Sequence, residues 1–225
     1  MGQAIGQVLS FGVGVALSPV PIIAVVLMLA TARGRVNGPA FLLGWVLGIA
    51  VLGTIVLLAA SGASASKHGA PATWVSILKI VLGLLLLALA VKQWRSRPRG
   101  DGAPQLPAWM KTIDKFTPTR SAAMGVALSA VNPKNLLLVV GAAAAIAQTG
   151  ASTVSQAVAL AVFIVIATLG VGAPVAVYFV MGDRAPRILS GLHDWMAREN
   201  ATIMAVICVI IGAKLIGDAI TALTT

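Results

Sequence analysis

The motif Asn132-Pro133-Lys134-Asn135 lies in the middle of an apolar run of about 27 residues, Ser121–Ala147. Lys134 is about 13 residues into that run, so its stem cannot easily reach either end. A charge at such depth in a bilayer costs roughly 2.5–3.5 kcal/mol on insertion scales. It must face a bundle interior or a wet cavity. A lysine held there has two uses. It can bind an anionic group or exchange a proton, or it can satisfy backbone carbonyls that a helix break has set free.

Such breaks are written into the chain twice. Gly-Val-Ala-Leu-Ser occurs at Gly14–Ser18 and again at Gly125–Ser129, 111 residues apart. Proline follows each copy inside an apolar run, in Ser18-Pro19-Val20-Pro21 and in Asn132-Pro133. Proline removes a helical hydrogen bond and clashes with the preceding turn. Freed carbonyls at membrane depth are tolerated only against protein or water. Two matched breaks, one carrying a lysine, read as a substrate site made of Ser18, Pro19, Pro21, Ser129, Asn132, Pro133, Lys134 and Asn135. The plainer alternative is a pair of kinks packed against neighbours. Ser18 and Ser129 hold equivalent positions and are expected to donate to the same oxygens. The N-terminal end of the helix after Asn132 adds partial positive charge beside the ammonium.

Lys79, Lys214 and Asp218 also fall within apolar runs. Lys214 and Asp218 share a helix face at i, i+4. The three form a possible charge relay or secondary site, or simply snorkel to an interface. Three intramembrane lysines against one aspartate leave a positive surplus. That surplus suits an anionic partner, such as a phosphate or sulfate on a lipid headgroup, and suits a cationic cargo poorly. Metal cations would need more oxygen ligands than Asp218 offers. The lone Cys208 cannot form an internal disulfide and reads as a small buried hydrophobe. His68 and His193 lie in loops, away from any acid, thiol or hydroxyl constellation. The expectation is no enzyme, no cofactor and no metal.

The elements that must position these residues are membrane helices. The 225 residues are 59% hydrophobic and 10% charged, where a soluble domain carries about 25% charged residues. Mean hydropathy is +0.98. Six apolar runs cover roughly Val8–Ala32, Pro39–Ser61, Thr73–Trp94, Ser121–Ala147, Val154–Met181 and Ala201–Leu223. Asn37-Gly38-Pro39 reads as a helix start. The N-terminus lacks a basic n-region and is expected to be a retained span. Gly44-x-x-x-Gly48 permits close helix contact, and Gly170, Gly172 and Pro174 predict a bend in span five. Trp109, Ile113 and Phe116 in Pro107–Phe116, and His193–Asn200, read as short amphipathic pieces at the inner interface.

Twelve of the 16 lysines and arginines fall in the first, third and fifth loops; the second and fourth offer only Lys67. By the positive-inside rule the odd loops are cytoplasmic and both termini extracytoplasmic. The net charge of +10 therefore serves orientation and anionic inner-leaflet lipid, not nucleic acid. Spans one and four run in opposite directions. The expected fold is an all-α integral membrane domain over 1–225, of six transmembrane helices. They form a 3+3 inverted repeat with helices one and four broken: repeat one over about 8–94, a basic cytoplasmic linker over 95–120, repeat two over about 121–223. Ile80–Val91 and Val209–Ile220 support the repeat by aligning on Gly83 and Gly212. Inverted repeats with matched broken helices point to a transporter with a midplane site.

The motif Asn132–Asn135, opening the second half of a broken fourth helix, resembles the lysine-exporter (LysE) superfamily. "ALSPVPIIAVVLML", "ARGRVNGPAFLLGWVLG" and "PAWMKTIDKFTPTRSAAMGVALSAVNPKNLLLVVGAAAAIAQ" are similar to its peptidoglycolipid-addressing (GAP) branch, over nearly the whole chain. Amino-acid-exporting branches carry a PGP-type break in helix one, where this chain has Ser18-Pro19-Val20-Pro21. The resemblance implies a plasma-membrane protein that moves glycolipid to the surface of a lipid-rich envelope. The leading expectation is thus an exporter of an anionic amphipathic envelope lipid, acting as a homo-oligomer or within a larger export complex. A small-molecule exporter and a non-transporting accessory subunit are the alternatives.

Overall fold

The computed structural model describes residues 2–63, 66–67, 70–97 and 108–224. Among them eight α-helices follow in order: α1 (Gly2–Ala16), α2 (Pro19–Leu29), α3 (Gly34–Gly62), α4 (Thr73–Arg95), α5 (Pro118–Val126), α6 (Pro133–Ala147), α7 (Thr153–Met181) and α8 (Ala185–Thr224). A two-residue antiparallel ladder, Ser66–Lys67 with Ala70–Pro71, closes the turn between α3 and α4. The helix starts follow local chemistry. Thr117 caps α5, with Pro118 at its first position, and its hydroxyl accepts from the Arg120 amide at 3.3 Å. Ser152 caps α7 in the same way. Gly182, at φ +50°, ends α7 in a left-handed conformation that glycine adopts without strain.

Three helical stretches are long and apolar enough to cross a membrane: α3, α4 and the 72-residue stretch Thr153–Thr224. Two bent pairs qualify when taken together, giving up to five by length and composition. Residues 4–16 and α2 meet at 52°, and Pro118–Val131 meets α6 at 63°. The surface has the polarity of a multi-pass membrane protein. Leu43, Leu47, Val51, Ile55 and Leu58 form an exposed apolar stripe on α3. Ser18, Asn37, Ser76, Lys79, Ser121, Ser129, Lys134 and Asn135 are buried inside. Apolar side chains outside and polar ones inside is the arrangement lipid demands.

The packing is crossed. α1 lies on α7, and α5 lies on α3, while α4 and α8 pair with each other. Gly83 and Gly212 meet where α4 crosses α8. A Cβ on Gly83 would sit 2.8 Å from Gly212 O, and one on Gly212 would sit 2.9 Å from Gly83 O. Both positions therefore need glycine for backbones to approach this closely.

Several expectations are corrected. The helix start is not at Asn37–Pro39: α3 begins at Gly34, and Pro39 lies inside it. The backbone there is already wound by amides of Val36 and Asn37 bonding to Arg33 O. Pro174 lies inside the continuous α7, and Gly170 serves close packing. His193–Asn200 is not a separate interfacial piece but part of the continuous 40-residue α8. Pro107 lies outside the described residues. The 3-10 helix Ala108–Lys115 packs inward, burying Met110, Ile113 and Phe116, and the Asn37 side-chain amide donates to Phe116 O at 3.0 Å. His68 and residues 98–107 of the basic linker lie outside the described residues.

Candidate functional site

Breaking α1 after Ala16 leaves its last carbonyls without helical donors. Two of them find a substitute. Gly14 O would normally pair with the amide of Ser18; it accepts instead from Lys134 Nζ at 2.7 Å. Val15 O loses its donor because Pro19 has no N–H, and it lies 2.7 Å from the Ser18 hydroxyl. Ala16 O is packed against Gly170 of α7, so closely that a Cβ there could not fit.

The second break is built differently. After α5 the chain widens into a π turn, Ala127–Val131, in which the Asn132 amide bonds back to Ala127 O at 3.1 Å. Leu128 O, passed over by that longer bond, accepts from Asn135 Nδ2 at 2.9 Å. Asn132 caps α6 by accepting from the Lys134 amide at 3.1 Å. Ser129 donates to Val126 O at 3.1 Å, the same i to i−3 bond that Ser18 makes to Val15 O. The two copies of the five-residue repeat thus share one local hydrogen bond.

The breaks meet. The Ser18 hydroxyl lies 2.9 Å from Asn135 Oδ1, and its single proton can go there or to Val15 O. Together with Lys134 to Gly14 O, this ties the first break to α6 twice. Lys134 is 2% exposed and Asn135 and Ser129 are fully enclosed. The ammonium has three donors, and Gly14 O takes one of them. Cys208 of α8 is within electrostatic reach of it.

The family model described as Sap, sulfolipid-1-addressing protein, matches residues 8–221. The chain belongs to the sulfolipid-1-addressing protein family. No curated protein and no solved structure matches it. The match spans both breaks, so the site lies within the region that defines the family in this chain.

Not every residue expected at this sulfolipid-addressing family member's site converges there. Pro19 and Pro21 are buried, but Pro133 is exposed. It lines an apolar groove of about 320 Å³ between α4 and α6, with Leu136, Leu137 and, at one end, Lys92. Ser129 does not share oxygens with Ser18: its hydroxyl turns to Val126 O and lies against Gly48 of α3. The helix N-terminus beside Lys134 is capped by Asn132, and the ammonium points to Gly14 instead. Lys79, Lys214 and Asp218 form a separate group at the α4–α8 contact. Sequence reading missed the pairing of Asn135 with Ser18 and the part of Gly170. The signal for Asn135 was its place directly after the only lysine of the run. For Gly170 the sequence offered only glycine content.

Proposed function

We propose that this chain is a membrane translocator that moves an anionic, sulfate-bearing lipid across the plasma membrane, with Lys134 meeting the anionic group when the two breaks separate. The observation that carries the reading is the double tie between them: a buried cation and an asparagine–serine pair join two interrupted helices in a sulfolipid-addressing family member. Ties of this kind, few and polar, can be exchanged for a ligand's oxygens. Two of the ammonium's donors are not used by Gly14 O, and a sulfate supplies acceptors for them.

The topology in this reading is six spans in a 3+3 inverted repeat, like that of the lysine-exporter superfamily. Residues 153–224, as one straight helix, would measure about 108 Å, over three hydrocarbon thicknesses. The turn at Gly182–Arg184 divides them into two spans, which with α3, α4 and the bent pairs makes six. The crossed packing and the reciprocal Gly83–Gly212 contact support a two-fold relation. The positive-inside distribution of loop charges supports both termini lying outside in this reading.

A second reading has one observation in its favour. The closure around Lys134 also suits a static weld in a docking subunit of a larger exporter. Proteoliposomes carrying a fluorescent sulfated glycolipid separate the two. The wild-type chain should speed exchange between leaflets, Lys134→Ala should abolish it with the protein still folded, and Lys134→Arg should impair it, since a planar fork does not replace a point charge. A folded, fully active Lys134→Ala overturns the site assignment. A wild-type chain without exchange activity leaves the docking reading.

A further inference from the structure

A second cluster of charge lies away from the breaks, where α4 crosses α8. Lys214 and Asp218 are joined at 2.6 Å, and their side chains are 36% and 32% exposed. Lys79 faces them from α4. It is 3% exposed, close enough to Asp218 and Lys214 to interact with both, yet it has no hydrogen bond or ion pair among the described residues. Measured from the Gly83–Gly212 contact, Lys79 is four residues along, Lys214 two and Asp218 six, all toward the end away from the arginine-rich loops. At about 1.5 Å per residue, Lys79 sits level with the gap between Lys214 and Asp218.

Two ammonium groups and one carboxylate leave one positive charge without a counterion. The carboxylate is already committed to the outer lysine. A lysine this buried, with no protein partner among the described residues, is costly unless something supplies acceptors. Lys214 and Asp218 beside it are part-exposed, while Lys79 is buried.

We propose that Lys79 and Lys214 form an anion site for a sulfate or phosphate monoester, with Asp218 as a built-in competitor. This inference rests on the translocation reading above and places a release station on the path: the headgroup arriving there displaces Asp218 from Lys214 and leaves again when the carboxylate returns. The sulfate or phosphate group can belong to a lipid headgroup or to a free ion, and the two sources are told apart by the probe.

The full chain in nanodiscs of phosphatidylcholine would be titrated with a sulfated galactosylceramide, with its unsulfated parent, and with sodium sulfate, bound ligand being read by native mass spectrometry. The sulfated lipid should bind at least about tenfold more tightly than the parent, the range expected of a charge-assisted contact. Lys79→Met should remove that preference. Asp218→Asn should strengthen binding several-fold, a sign that loss of a merely structural ion pair would not give. Sodium sulfate competing with the lipid identifies the sulfate group itself as the ligand; competition only by sulfated lipid assigns the site to headgroups. Unchanged binding in Lys79→Met, or weakened binding in Asp218→Asn, overturns the site. If Lys79→Met does not fold, the sign of the Asp218→Asn effect still decides. A wild-type chain that binds through Lys79 but exchanges no lipid sinks the translocation reading and leaves this site. Lipid exchange with a Lys79→Met chain that binds as wild type sinks this site and leaves that reading.

Discussion

At the first break the chain turns within Leu17 and Ser18, and α2 starts at once on Pro19; at the second it passes through a five-residue π turn before Pro133 restarts the helix. The preceding five residues are identical. The difference lies in where proline comes. Pro19 directly follows the repeated serine and Pro21 follows soon after, so two amides are lost within three residues and the helix stops. In the second copy Ala130, Val131 and Asn132 intervene, and the helix widens instead of ending. The partners differ as well. At the first break Gly14 O is closed by Lys134 from the second, while Val15 O lies against the break's own Ser18 hydroxyl; at the second, Asn135 donates to Leu128 O. What the copies share is the serine's local bond. What distinguishes them is the residues that follow, and there the chemistry resides.

This contrast can be broken most severely at the first site. Gly170→Val would drive a branched side chain into Ala16 O, and a change against backbone should cost about 3 kcal/mol or more. Thermal unfolding in detergent would register it as loss of the folded form. Gly172→Ala, two residues on, meets only ordinary contacts and should be neutral or stabilising by about 0.5–1 kcal/mol. Equal effects at the two glycines would refute the close approach at Ala16.

Next in size is Asn135→Ala. It strips Leu128 O of its donor and the Ser18 hydroxyl of one acceptor, for about 2–4 kcal/mol. Ser18→Ala should cost about 1–2 kcal/mol. A double-mutant cycle should give a coupling of about 1 kcal/mol between them. Strict additivity would mean that the breaks are not joined through this pair.

The smallest effect belongs to Ser129→Ala. Its hydroxyl bonds only within its own turn, so the loss should stay within about 1 kcal/mol, below that of Ser18→Ala. A larger loss at Ser129 than at Ser18 would reverse the assignment of which serine bridges the repeats.

Much of this was legible in the residues. Proline placement marked both breaks, because a missing amide acts locally whatever the fold. Lys134 announced itself by depth. The charge pattern at i, i+4 anticipated the Lys214–Asp218 pair. Partners across the bundle were not legible. Nothing in Asn135 says that it meets Ser18, 117 residues away, because that contact is fixed by helix crossing and not by spacing. Helix ends were missed where tertiary packing outweighs local signals. Pro39 looked like a first-turn residue, yet α3 starts five residues earlier at Gly34. The polar segment His193–Asn200 looked like a loop piece but is helical, because α8 continues through it with Met196 and Ala197 buried.

α8 has a mechanical consequence. It is one unbroken helix of 40 residues, and at Gly212 it meets the backbone of α4. That contact works as a fulcrum with unequal arms. On one side the rod reaches Ala185, about 40 Å away; on the other Asp218 is only about 9 Å off. A tilt of about 10° would swing the long end by roughly 7 Å while shifting Asp218 by less than about 2 Å. Pressure from lipid or protein on the arginine-bearing tip would therefore reach the carboxylate geared down more than fourfold, a large blunt push becoming a small displacement beside Lys79.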